Sequence, residues 1–271
     1  MKILRHSGYR KARHKMETIT YEKQGHVATI RFNRPEKMNA ITPDMMVQLY
    51  QCVEEINADM DIRSVVVTGG DKVFCSGSDI KKLVTYDSPW DFHNRQKDYP
   101  TSIRLIRKPV IAMVNGYCLG GGLEMAISAD MRYASESARF GAPEINHGWI
   151  GGGGASQILP RLVGPGLAAE MLISGKTYTA SEAKDMGLVD RLYGTPQELE
   201  TATYDMAGLI ASKAPIAAQV IKKAVRVSQN IGLDAGLDYE NELVYITFST
   251  EDKEEGQRAF IEKREPVFKG C

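Results

Sequence analysis

No apolar run in this 271-residue chain reaches the roughly 18 residues that a membrane-spanning helix needs. Neither sign of charge is in excess, because 34 Lys and Arg balance 34 Asp and Glu. That argues against a general binder of nucleic acid or of an acidic membrane surface, and aromatic and basic residues are not interleaved as in nucleic-acid grooves. Cysteine is sparse: Cys52, Cys75, Cys118 and Cys271 show no metal or redox spacing. Reduced thiols, a cytoplasmic location and no metal are therefore expected. No glycine turn runs into Gly-Lys-Ser/Thr, which excludes a phosphate loop of that kind. The first fifteen residues, MKILRHSGYRKARHK, lack the apolar core of a secretory signal. With Arg5, Arg10 and Arg13 and no acid, they read as a flexible basic extension ahead of Met16, or as a transit peptide for the mitochondrial matrix.

What is present is a β–α–β rhythm. METITYEKQGHVATIRFN alternates apolar and polar residues around Gln24-Gly25, which predicts a hairpin whose second strand runs from Val27 to Phe32. Thr42 and Pro43 fit the N-cap and first position of a helix carrying Met46, Leu49, Val53 and Ile56 at helical spacing. SVVVTGG and KPVIAMVNG are short apolar runs, the pattern of buried parallel strands. A helical stretch from Trp90 to Arg107 separates them. Alternation of this kind implies parallel sheet built from crossover units. After about Thr195 it stops, and helix follows helix with joints at Pro215 and Gly232. The expected division is residues 1–15, an α/β body over 16–200, and an all-helical region over 201–271.

Four stretches carry chemistry. FCSGSDIKKL, residues 74–83, is a strand end, a small-residue turn and a helix start. LGGGLEMAISAD, residues 119–130, sets Gly120-Gly121-Gly122 ahead of a helix bearing a single acid, Glu124. Such turns leave backbone N–H groups unpaired, and two side by side can offer two donors to one oxygen. FGAPEINHGWIGGGGASQ holds Glu144, His147, Trp149 and the run Gly151–Gly154, where backbone can approach a ligand closely. AFIEKREPVFKG places Phe260 and Lys263 on one side of a charged helix end. Two carboxylates near a pair of N–H-presenting turns suit general acid/base work on a carbonyl compound.

Together, NRPEKMNAI, FCSGSDIKKL, KPVIAMVNGYCLGGGLEMAISADMRYAS, FGAPEINHG and FSTEDKEEGQRAFIEKREPVFKG resemble the crotonase (enoyl-CoA hydratase/isomerase) superfamily, from Met16 to Lys269. Glu124 and Glu144 stand 20 residues apart and Ser78 lies 46 residues before Glu124, the spacing of family hydratases. The resemblance implies an α/β fold, a crotonase-like spiral of ββα units with a C-terminal all-helical oligomerisation region, assembled as a homotrimer or a dimer of trimers. It implies a hydro-lyase acting on an acyl-CoA thioester, with CoA as the handle of the substrate and no other cofactor. Backbone N–H groups of Ser78 and Gly121 would form the oxyanion hole, Glu124 and Glu144 the catalytic pair, and Gly152 a water-holding amide. Lys81, Phe260 and Lys263 match positions near the CoA phosphates and adenine. Two departures stand out: the family's AGAD reads SGSD here, and its GTIPGAGGTQ reads GWIGGGGASQ, with glycine for proline at 151 and Trp149 added. These bear on acyl specificity. The alternatives are a Δ3,Δ2-enoyl-CoA isomerase, an enzyme hydrating or hydrolysing a cyclic or branched acyl-CoA, and last a non-catalytic RNA-binding relative.

Overall fold

The computed structural model of the chain describes residues 16–83, 88, 90 and 99–271; the basic stretch 1–15 and positions 91–98 of the expected helix lie outside the described residues. The chain enters as a hairpin of β1 (Ile19–Gln24) and β2 (Val27–Phe32), paired antiparallel from Ile19↔Phe32 to Gln24↔Val27. Helix α1 (Pro43–Ala58) begins where its capping residues dictate, with Thr42 Oγ1 accepting from the Met45 amide at 3.3 Å. Met45, rather than Met46, joins Leu49, Val53 and Ile56 in the core.

Three strand-to-strand steps then follow. Strand β3 (Ser64–Thr68) turns into β4 (Val73–Cys75). After α2 (Tyr99–Arg104), β5 (Val110–Val114) turns into β6 (Tyr117–Leu119). After α3 (Gly121–Ser128), β7 (Met131–Ser135) turns into β8 (Arg139–Gly141). Beyond the glycine run come α4 (Ala155–Val163), α5 (Pro165–Ser174), β9 (Thr177–Thr179), α6 (Ala180–Asp185) and β10 (Arg191–Tyr193). Helices α7 (Pro196–Ala211), α8 (Pro215–Ser228), α9 (Leu233–Phe248) and α10 (Glu251–Glu262) close the chain. Pro215 opens α8 and Gly232 caps α9, so the expected joints stand.

Each step sends one strand into each of two sheets. The six-stranded sheet runs β1-β2-β3-β5-β7-β10, parallel from β2 onward. The four-stranded sheet runs β4-β6-β8-β9, with only β8–β9 antiparallel. This is the α/β spiral of ββα units that the resemblance implied. Strands β3 and β5 are buried along their whole length because both faces are covered. Val65 and Val67 point into the main core with Phe74, while Val66, Ile111 and Met113 meet Leu199 and Ala207 of α7. At the β5–β6 corner, Gly116 has φ +59°, and a Cβ there would stand 1.9 Å from the Lys72 carbonyl oxygen. Only glycine lets these two corners pass so closely.

Two expectations are corrected. The helix expected to reach Arg107 ends at Arg104. Asn57 takes the Leu105 carbonyl and caps the Arg107 amide, and Pro109 disfavours helical backbone at Lys108. The helix expected after Ser76-Gly77-Ser78 is, in its described part, a single 3₁₀ turn, Ile80–Lys82.

Asn39 ties the early chain to the first strand corner. Fully buried and at φ +52°, it points Nδ2 at the carbonyls of Gly69, Val73 and Phe74 at 2.9, 3.2 and 3.1 Å. Its Oδ1 accepts from the Arg34 amide at 2.8 Å. From that anchor Ile41 donates to the Gly77 carbonyl and accepts from the Asp79 amide, both at 2.8 Å, which fixes the turn around Ser78. Replacing Asn39 by Ala leaves buried carbonyls without their donor and puts a Cβ-bearing non-Asn residue in left-handed backbone. A loss of about 1–3 kcal/mol is expected, read as a lower urea midpoint with an unchanged m-value.

Candidate active site

Helix α3 is buried at all eight positions, Glu124 included at 1% exposure. Such a carboxylate needs fixed hydrogen-bond donors. They come from the glycine run: Glu124 Oε1 accepts from the Gly153 amide at 2.7 Å and the Ala155 amide at 3.2 Å. Ala155 is the first residue of α4, where N–H groups have no partner inside the helix and the helix dipole favours negative charge. Gly151 lies closer still. A Cβ on it would stand 2.6 Å from Glu124 Oε1, so the proline of the family pattern has no room on this backbone.

The start of α3 is set by Gly120, at φ 53° and ψ −125°, whose amide donates to the Gly141 carbonyl at 2.9 Å. This conformation is open to glycine alone. Gly121, the first helical residue, has its N–H outside the intrahelical ladder. The Ser76-Gly77-Ser78 turn packs directly against this start. A Cβ on Gly77 would stand 3.5 Å from the Gly121 nitrogen and 3.6 Å from Gly120 Cα. Below them the Cys75 carbonyl presses on Gly122, where a Cβ would come within 2.3 Å. Thus the two glycine turns singled out in the sequence are side by side.

Glu144 arrives from the other direction, on the 3₁₀ turn Pro143–His147 after β8. Its carboxylate lies against Gly120, whose Cβ, if present, would stand 3.1 Å from Oε1. The Oε2 atom is buried and has no hydrogen-bond partner among the described residues. Burial raises the pKa of Glu144 above the ordinary 4.5; a backbone hydrogen bond and the charge of His147 act in the opposite sense. His147 is exposed and stacks on Trp149, with ring centroids 5.1 Å apart at 23°. The chain therefore brings together one glutamate held by two amides and another biased towards its protonated form.

Gly152 is exposed in the same loop, while Gly153 and Ala155 make the contacts to Glu124. Sequence reasoning singled out the glycine run but not these two amides, because residue letters do not say which amide of the run meets a carboxylate some thirty positions away. Lys81 is exposed on the Ile80–Lys82 turn. Phe260, 85% exposed, and Lys263, at φ +56°, end α10. The segment after them folds back on its own helix: Lys269 and Gly270 amides bond Asp252, and Arg264 pairs with Glu255. Arg63 holds the Phe268 carbonyl. None of these contacts brings Phe260 or Lys263 to the glutamates. No helix among the described residues is long and apolar enough to cross a membrane.

Comparison with known proteins agrees with this geometry. The family model described as enoyl-CoA hydratase/isomerase matches residues 22–271. The chain is 38% identical over 251 residues to a probable mitochondrial enoyl-CoA hydratase of Dictyostelium discoideum, covering 93% of this chain and 90% of that one. It is 37% identical to the 2,3-dehydroadipyl-CoA hydratase of Escherichia coli, covering 94% of this chain and 100% of that one. The solved enoyl-CoA hydratase of Bacillus anthracis superposes with a TM-score of 0.85 at 34% identity, covering 94% of this chain and 100% of that one. With its twinned glycine turns, paired glutamates and near full-length match, the chain belongs to the enoyl-CoA hydratase/isomerase family.

Proposed function

We propose that Glu124 and Glu144 add water across the 2,3-double bond of a 2-enoyl-CoA thioester. The observation that carries this reading is the meeting of both glutamates with the Gly77–Ser78 and Gly120–Gly121 turns at the head of α3. The thioester oxygen sits between the N–H groups of Ser78 and Gly121. As the water oxygen bonds to the β-carbon, Glu124 takes a proton from that water. The π electrons move towards the thioester oxygen as enolate charge, and Glu144 delivers a proton to the α-carbon. The proton left on Glu124 passes back to Glu144 through the next water, so the net change is addition of one H–OH. Each oxyanion donor contributes on the order of 3 kcal/mol to the barrier reduction, and positioned acid/base groups add ~10²–10⁴-fold.

The reading assigns no metal or redox group, since CoA is the substrate's own handle. Gly152 is the proposed amide for the attacking water, and Lys81, Phe260 and Lys263 are assigned to the CoA phosphates and adenine. A homotrimer or dimer of trimers is supported by exposed Leu237, Tyr245 and Phe248 along α9, apolar surface that a lone chain leaves in water. A cytoplasmic site of action fits the composition, and the mitochondrial matrix applies if residues 1–15 act as a transit peptide.

Crotonyl-CoA mixed with the purified protein is expected to lose its enoyl absorbance. Glu124→Gln and Glu144→Gln should each lower kcat about 10²–10⁴-fold with unchanged circular dichroism; near-native turnover in either variant refutes the pair. Gly151→Ala pushes a methyl into Glu124 Oε1, and a displacement of that size is expected to cost about 10²-fold in kcat, again with the fold intact. Because Glu144 must be protonated to serve the α-carbon, the hydration rate should fall as pH rises through its raised pKa. That limb should vanish in Glu144→Gln, which has no proton to lose.

A further inference from the structure

A second cleft, of about 460 Å³, opens between one face of α8 and the chain just after α2. That volume lies within the roughly 300–1,000 Å³ of small-molecule sites. Ile106, Ile216, Val220 and Val227 give it apolar walls, and five cationic side chains border it. Four of the five are engaged. Lys222 Nζ holds Asp130 Oδ2 and the Lys108 carbonyl, both at 2.7 Å. Arg226 spans Asp130 Oδ1 at 2.9 Å, the Ser128 carbonyl at 3.2 Å and the Arg104 carbonyl at 2.6 Å. Arg107 donates to the Asn57 carbonyl at 2.6 Å, and Lys223 sits 5.6 Å from the centre of the Tyr239 ring.

The fifth is Arg104. Its guanidinium is partly buried and makes no hydrogen bond or ion pair among the described residues. Burial first, and then the charge of Arg226, depress its pKa, while Asp130 acts in the opposite sense. An anion placed here would relieve that repulsion, and a guanidinium matches a carboxylate with two parallel hydrogen bonds. The cleft is separate from the glutamates. Arg226 reaches Ser128, the last residue of α3, whereas the proposed oxyanion donor Gly121 is its first, about 10 Å away along the helix.

We propose that this cleft is a binding site for an amphipathic carboxylate, a straight-chain acid whose head pairs with Arg104 and whose chain lies along Ile106, Ile216 and Val220. Charge complementarity selects the head and the apolar walls select the tail.

Isothermal titration of the full chain with sodium octanoate tests it. Saturable binding is expected, about tenfold or more tighter than for acetate, which lacks the tail, and than for 1-octanol, which lacks the charge. Arg104→Gln should weaken octanoate about tenfold or more. Lys223→Gln, an exposed change that leaves the core untouched, should weaken it about threefold. Saturating CoA and the Glu144→Gln substitution should leave octanoate binding as it is. Absence of saturable binding, equal binding of octanol, full affinity in both Arg104→Gln and Lys223→Gln, or displacement by CoA would overturn the proposal.

Discussion

One buried carboxylate organises the centre of this molecule. Glu124 lies in a helix with no exposed face, and two backbone amides from a different part of the chain hold one of its oxygens. A charge-bearing group in such surroundings is costly unless its donors are fixed. The glycine run 151–154 therefore answers to α3, and α4 begins where Glu124 needs an N–H. The strand corners underneath hold α3 itself, through the Cys75 carbonyl against Gly122 and the Gly141 carbonyl on the Gly120 amide.

Close backbone contact is the means by which the two sheets produce a site. Every ββα step brings one short strand end to the same side of the molecule, and two of those ends, after β4 and β6, become the two glycine turns that meet at the head of α3. The third, after β8, delivers Glu144. Residues separated widely along the chain converge because the crossover repeats, so the fold and the constellation arise from one pattern.

Much of this was legible in the sequence. Capping at Thr42-Pro43, the apolar runs of β3 and β5, the hairpin around Gln24-Gly25, whose loop is Gly25-His26, and the joints at Pro215 and Gly232 follow from local physical preferences that the structure obeys. The resemblance to the family hydratases, whose two glutamates share this twenty-residue spacing, made a pair out of Glu124 and Glu144. What stayed hidden has a common physical origin. Strands β4, β6 and β8 are three residues each, too short for a period of two to register. The amides of Gly153 and Ala155, and the three carbonyls gathered by Asn39, are backbone atoms that every residue type possesses. Helix α2 ended early because Asn57, nearly fifty positions upstream, supplied its exit contacts.

The Asp130 cluster has a bearing on how the chain is made. Asp130 stands two residues beyond the end of α3, yet its Arg226 partner is 96 residues further along. At about 5–20 residues per second, translation leaves that carboxylate without Lys222 and Arg226 for roughly 5–20 s. The segment bearing the glutamates thus emerges from the ribosome before the helix that locks its far end. Until α8 has been synthesised, the end of α3 remote from Gly121 has neither Lys222 nor Arg226 to pair with Asp130.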